Sequence, residues 1–160
     1  MDFLERLGKI IESYTTRKLK IAIAESCTGG YISHMITNIS GASKVFERGI
    51  VCYSNKAKID LLNVDPKSLE IHGAVSKNIV EQLAYNIRAL SNVDIGIGIS
   101  GIAGPAGGTP EKPVGTVYIG FSSIDETYTK RFNFSANRIM FKKLVLEKII
   151  EHLELIVKID

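Results

Sequence analysis

Residues 21–36, "IAIAESCTGGYISHMI", pass from an apolar, strand-like run to a pair of glycines and a helical pattern within a few positions. "KIAIAES" has basic residues before it and glycines after it, which predicts a buried strand, and a helix beginning near Gly29 follows at once. Strand followed directly by helix is the repeating unit of α/β folds, and it puts residues 26 to 30 at the carboxyl end of a strand, where open α/β sheets bind their ligands. Glu25, Ser26, Cys27 and Thr28 crowd that junction. The first N–H groups of a helix lack intrahelical partners and carry partial positive charge, so a Ser26 hydroxyl there sits beside donors for an oxyanion or a phosphate. A second reading makes Ser26 or Thr28 a helix cap and Gly29-Gly30 a close-packing device. The turn by itself leaves both open.

Working outward, strands and helices alternate. "MDFLERLGKIIESYTTRK" places Phe3, Leu4, Leu7, Ile10 and Ile11 at helical spacing, and "FERGIVCYS" reads as a second strand. "NKAKIDLLNV" is a short helix that stops before Pro66. "VSKNIVEQLAYNIRALSN" opens with Ser76 as N-cap and carries Ile79, Val80, Leu83, Ala84, Ile87 and Leu90 on one face. "VDIGIGISG" is a strand whose glycines alternate along one face, leaving room for a helix or a ligand to approach the backbone. "VGTVYIGFSS" and "ETYTKRFNFS" flank Ile124 and Asp125 as a hairpin, and "ANRIMFKKLVLEKIIEHLELIV" supplies a long closing helix. Together they predict an α/β fold: a three-layer αβα sandwich on a mixed, mainly parallel sheet with one β-hairpin. With no repeat, linker or low-complexity tract, residues 1–160 are expected to form a single domain.

Composition narrows the function classes. The chain has 160 residues, 45% hydrophobic and 23% charged, and no apolar run approaches the roughly 20 residues needed to span a bilayer. A net charge of +3 is too small and too scattered for a nucleic-acid surface, and the basic stretch "KRFNFSANRIMFKKLVLEK" reads as the solvated face of the closing helix. Neither membrane nor nucleic acid is an expected partner. Cys27 and Cys52 form no CxxC or Cys/His pattern, so neither a disulfide framework nor a zinc site is expected, and a reducing cytoplasm is the natural setting. His34 and His152 read as surface residues and His72 as a turn residue, which would leave a Ser-His-Asp hydrolase without its base.

"AESCTGG", "FERGIVCYSNKAKIDLLNV", "HGAVS" and "GISGIAGPAGGTPEKPVGTVYIG" stand in the order of the signature segments of the CinA C-terminal domain family, and from about Ile21 to Phe134 the chain resembles that family closely. Longer members carry an additional N-terminal domain; this chain resembles the stand-alone form. The resemblance implies a nicotinamide mononucleotide deamidase, which hydrolyses the carboxamide of its substrate to nicotinate mononucleotide and ammonia within the pyridine nucleotide cycle. It also implies a homodimer, a small-molecule nucleotide as partner, and no cofactor or metal.

Carried over residue by residue, the resemblance makes Ser26 the nucleophile and Lys58, the second lysine of "YSNKAK", its base, with Tyr53 assisting. A lysine acts as a base only if desolvation or neighbouring positive charge lowers its pKa. By local pattern alone Lys58 is an ordinary surface lysine on a helix, Cys27 is a competing nucleophile at a helix start, and Tyr53 is a half-buried strand aromatic. Cys27, Thr28, Gly29 and Gly30 surround the attack site, the last three as candidate oxyanion donors. "SGIAGPAGGTPEK" supplies Ser100, Gly101, Gly104, Gly107, Gly108 and Thr109, a composition suited to wrapping an anion or ribose, although the GxxxxGK[ST] phosphate loop is absent. Arg138 aligns with a family arginine that contributes to the site, but Ser135, Ala136 and Asn137 replace the residues that usually precede it. The alternative from another class is a catalytically silent nucleotide sensor or partner module linked to competence or DNA damage; retention of Ser26, Tyr53 and Lys58 favours the enzyme.

Overall fold

The structure, a computed structural model, describes residues 2–158. In chain order its helices are α1 (Phe3–Arg17), α2 (Tyr31–Thr37), α3 (Asn55–Leu62), α4 (Pro66–His72), α5 (Lys77–Ser91) and α6 (Arg138–Val157), with a 3₁₀ turn at Ala42–Lys44. Its strands are β1 (Ile21–Glu25), β2 (Phe46–Val51), β3 (Ile95–Gly101), β4 (Thr116–Ser122) and β5 (Thr127–Asn133). They form one sheet of order β2-β1-β3-β4-β5, in which β1 pairs parallel with β2 and β3, and β4 pairs antiparallel with β3 and β5. Only β4 therefore runs against the others. The expected α/β sandwich on a mixed sheet is the observed one, and the β4–β5 hairpin turns at Ile124 and Asp125 as read.

The period-two alternation of the strands sorts side chains by size. Ile21, Ile23, Ile97, Ile99, Val117 and Ile119 face α1, α2 and α6 in the larger core. On the opposite face Ala22 and Ala24 pack with Ile79, Leu83 and Ile87 of α5, Leu62 of α3 and Leu69 of α4. Each fully buried Leu or Ile on α5 contributes about 1.5–3 kcal/mol of transfer free energy. The glycines of β3 belong to this face, and a helix is what approaches them: a methyl at Gly98 would lie 2.5 Å from the Val80 carbonyl oxygen and 2.7 Å from the Ala84 nitrogen.

Helix α5 starts where its sequence says, with the Ser76 hydroxyl accepting the Ile79 N–H at 3.3 Å. Two boundaries differ from expectation. Pro66 does not merely follow a helix; it occupies the first turn of α4 behind the Asp65 N-cap, because a residue lacking an N–H costs nothing at a position whose N–H is unpaired. His72 is then the last residue of α4 and exposed, with Gly73 (φ +74°) making the turn. Second, α2 begins at Tyr31, because Gly29 and Gly30 adopt φ of +59° and +96°, a left-handed turn that side chains resist. No helix among the described residues is long and apolar enough to cross a membrane.

The surface placement expected for His152 is also corrected. The spacing Phe141, Val145, Ile149, His152 puts the imidazole on the inward stripe of α6, where it is 6% exposed, stacks on Phe121 with ring centroids 3.7 Å apart and hydrogen-bonds the Tyr128 hydroxyl. Burial, helped by Lys130, lowers its pKa from 6.5 to about 4. The folded state thus binds fewer protons than the unfolded chain between those values, so this contribution is complete above pH 6.5 and lost as pH falls toward 4. Urea denaturation should show wild type losing about 3 kcal/mol more stability than His152→Leu between pH 7.5 and pH 4.

Candidate active site

A cleft of about 330 Å³ opens at the carboxyl ends of β1 and β3. One wall is the turn after β1, a second is α3, and the third is the loop after β3 together with the first residue of α6. At the end of β1 the Glu25 carboxylate is fully buried and accepts four hydrogen bonds: from the Thr28 hydroxyl (2.7 Å) and Ile32 N–H (3.0 Å) on Oε1, and from the Ser33 N–H (3.0 Å) and hydroxyl (2.6 Å) on Oε2. Neither Ser26 nor Thr28 caps α2. Glu25 does, reaching across from the end of β1 to N–H groups that the helix leaves unpaired. A carboxylate belongs at this junction because it fastens the turn at both ends.

Lys58 and Leu62, one helical turn apart, form the inward stripe of α3, whose start is set by Ser54 accepting the Ala57 N–H at 3.0 Å. Lys58 is 1% exposed and, among the described residues, has no carboxylate partner. Its Nζ lies 3.0 Å from Ser26 Oγ, 2.8 Å from the Cys52 carbonyl oxygen and 3.2 Å from the Tyr53 carbonyl oxygen. Burial without a counter-charge pulls its pKa below the ordinary 10.5. In the neutral amine the two hydrogens satisfy the two carbonyls and the lone pair is left facing Ser26, whose hydroxyl then donates to it.

The other expected residues divide into those that line the cleft and those that do not. Cys27 lines it, but burial pushes its thiol up to about 12, so at neutral pH it is not a thiolate. Tyr53 contributes its backbone carbonyl to the Lys58–Ser26 pair, while its side chain is 63% exposed at the rim. Ser100, Gly101, Gly104 and Gly107 line the cleft, and Gly108 and Thr109 fall outside it. The Thr109 side chain instead accepts the Lys112 N–H (3.0 Å) and its N–H donates to the Lys112 carbonyl (2.9 Å), folding the loop on itself. Thr28, Gly29 and Gly30 lie behind the lining, and the Gly29 N–H is engaged by the Ser26 carbonyl at 3.1 Å. Among the described residues no other residue accepts from the N–H of Cys27 or Thr28; the Cys27 N–H faces its own thiol.

Arg138 does reach the cleft. Asn137 replaces the expected preceding residue and caps α6, accepting the Met140 N–H at 2.9 Å, and the Arg138 guanidinium donates to the Gly104 carbonyl through Nε (3.1 Å) and Nη2 (2.7 Å). Lys142, one turn further along the same face, brings its amine 3.7 Å from the position a Gly29 Cβ would take. Sequence reasoning missed Lys142, although its spacing from Arg138 was a usable signal, and missed Asn55 and Val75 in the lining, although both stand within the quoted signature segments "YSNKAK" and "HGAVS".

The CinA C-terminal domain matches residues 5–157. The chain belongs to the CinA C-terminal domain family. A competence-damage inducible protein of Thermoanaerobacter sp. (strain X514) is 49% identical over 129 residues, 81% of this chain and 31% of the relative. A CinA-like protein of Thermotoga maritima is 46% identical over 133 residues, 83% of this chain and 32% of the relative. The chain thus spans about a third of the length of the curated relatives it matches. Among solved structures, a CinA superfamily protein of Klebsiella pneumoniae superposes with a TM-score of 0.93 at 27% identity, covering 99% of each chain. The competence/damage inducible protein CihA of Agrobacterium tumefaciens also gives 0.93, at 33% identity, covering 99% of this chain and 97% of the other. The CinA fold therefore extends across nearly the whole of the described chain, including α1 and α6 outside the signature segments.

Proposed function

We propose that this CinA domain hydrolyses the carboxamide of nicotinamide mononucleotide to nicotinate mononucleotide and ammonia through a Ser26–Lys58 pair. The observation that carries this is a buried lysine without a counter-charge whose Nζ lies 3.0 Å from a serine Oγ in a cleft. A charged ammonium there is costly and a neutral amine is a base, which makes the arrangement intelligible as chemistry and wasteful as packing.

In the proposed reaction Ser26 Oγ attacks the carboxamide carbon while its proton passes to Lys58 Nζ. The oxyanion forms against backbone N–H groups of the turn after β1, where Cys27 lines the cleft. On collapse the C–N bond breaks, Lys58 returns the proton to the nitrogen, and ammonia leaves. Water then repeats the cycle on the acyl-serine: it gives a proton to Lys58, adds to the carbonyl and releases nicotinate mononucleotide, with Ser26 regaining its proton. Backbone N–H groups of the 101–107 loop and the Arg138 guanidinium, already oriented by Gly104, supply the donors suited to the phosphate end. The cleft volume falls at the lower end of the range for small-molecule sites.

The test is ammonia release from nicotinamide mononucleotide by the purified protein. Catalytic release supports the proposal; nucleotide binding without release overturns it in favour of a sensor. Because only neutral Lys58 accepts a proton, the rate should rise with pH through an apparent pKa below the ordinary lysine value of 10.5, and fall as acid protonates the amine.

A further inference from the structure

The cleft holds a second buried hydroxyl that the proposed chemistry has not used. Ser100 is 1% exposed, lines the cleft, and among the described residues its hydroxyl has no hydrogen-bond partner. The buried hydroxyls nearby are all engaged: Ser76 with the Gly73 carbonyl, Thr116 with the Pro113 carbonyl, Thr28 with Glu25. A hydroxyl shielded from bulk water and left open toward a cavity is one held ready for a ligand.

Strand register places it beside the nucleophile. β1 and β3 are parallel with Glu25 opposite Ile99, and the Ser26 N–H continues the ladder by donating to the Ile99 carbonyl at 3.1 Å. Ser26 and Ser100 therefore follow the Ala24–Gly98 pair, on neighbouring strands about 4.8 Å apart. That separation accommodates a carboxamide carbon on Ser26 Oγ with its nitrogen one hydrogen bond from Ser100 Oγ. A primary carboxamide attacked by Ser26 with its oxygen toward the Cys27 N–H still has two N–H hydrogens to place, and the nearby carbonyls of Cys52 and Tyr53 already accept from Lys58.

We propose that Ser100 Oγ accepts a hydrogen bond from the amide nitrogen of the substrate, making it the residue that selects a primary carboxamide and orients its leaving nitrogen. This rests on the amidohydrolase reading of the same cleft. It separates amide from ester chemistry, because an ester leaving oxygen carries no hydrogen to offer.

Turnover of nicotinamide mononucleotide and of the ethyl ester of nicotinate mononucleotide should be compared for wild type and Ser100→Ala. The expected result is a loss of about 10- to 100-fold in kcat/KM on the amide, the scale of one buried hydrogen bond, well in excess of any loss on the ester. Thermal melts report that the variant is folded. Equal losses on both substrates would show a structural role and overturn the proposal, as would undiminished amide turnover. Wild-type protein that releases no ammonia would instead overturn the amidohydrolase reading itself, and the assignment of Ser100 with it.

Discussion

Ser26→Ala is expected to lower ammonia release by about 1,000-fold or more, equivalent to roughly 4 kcal/mol of transition-state stabilisation. Lys58→Met, which keeps the volume of the buried side chain, should lose a similar amount, and the double variant no more than either single one. In the proposed reaction the two groups act on one proton, so removing either would remove the step. Lys58→Arg should not rescue activity, because a guanidinium remains charged and cannot accept the proton from Ser26. Single-turnover assays on variants whose thermal melts show them folded provide the check; additive losses would mean that the 3.0 Å contact is not the reacting one.

Gly98→Val is expected to abolish soluble folded protein. A Cβ at this position meets the Val80 carbonyl oxygen at 2.5 Å and the Ala84 nitrogen and Leu83 Cβ at 2.7 Å each. Two of the three are backbone atoms of α5, which cannot turn aside as a side chain can. Gly98→Ala already forces α5 off the sheet and should cost about 3 kcal/mol or more in urea denaturation, with the two branched methyls of valine adding to that. Gly8 provides the contrast. It lies inside α1 with no atom within 4 Å of a would-be Cβ, and Gly8→Ala should stabilise by about 0.5–1 kcal/mol.

The elements that could be read from the sequence are those whose cause is local. Ser76 and the apolar spacing that follows it announce α5, and the two strands around Ile124 and Asp125 announce the hairpin. Pro66 was harder because one residue both stops a helix and starts one. Glu25 could not be assigned from pattern, since its partners at Ile32 and Ser33 come within reach only through the left-handed backbone of Gly29 and Gly30. Lys58 is the extreme case. Its local pattern is that of a solvated lysine, and only the resemblance to a family singled it out; its partner lies 32 residues away on another element. His152, by contrast, was legible in the stripe from Phe141 through Val145 and Ile149, which outweighs the charged neighbours that suggested a surface position.

The setting of the two cysteines has a practical consequence. Cys52 is buried and Cys27, half-buried and held far from its thiolate form, faces the cleft beside the Ser26 hydroxyl, the proposed nucleophile. Alkylating reagents at neutral pH should therefore label the native molecule more slowly than the opened chain, which makes the thiols, and buried Cys52 above all, a built-in gauge of unfolding. Electrophiles that favour hydroxyls would behave in the opposite way, finding their target only while the fold is intact.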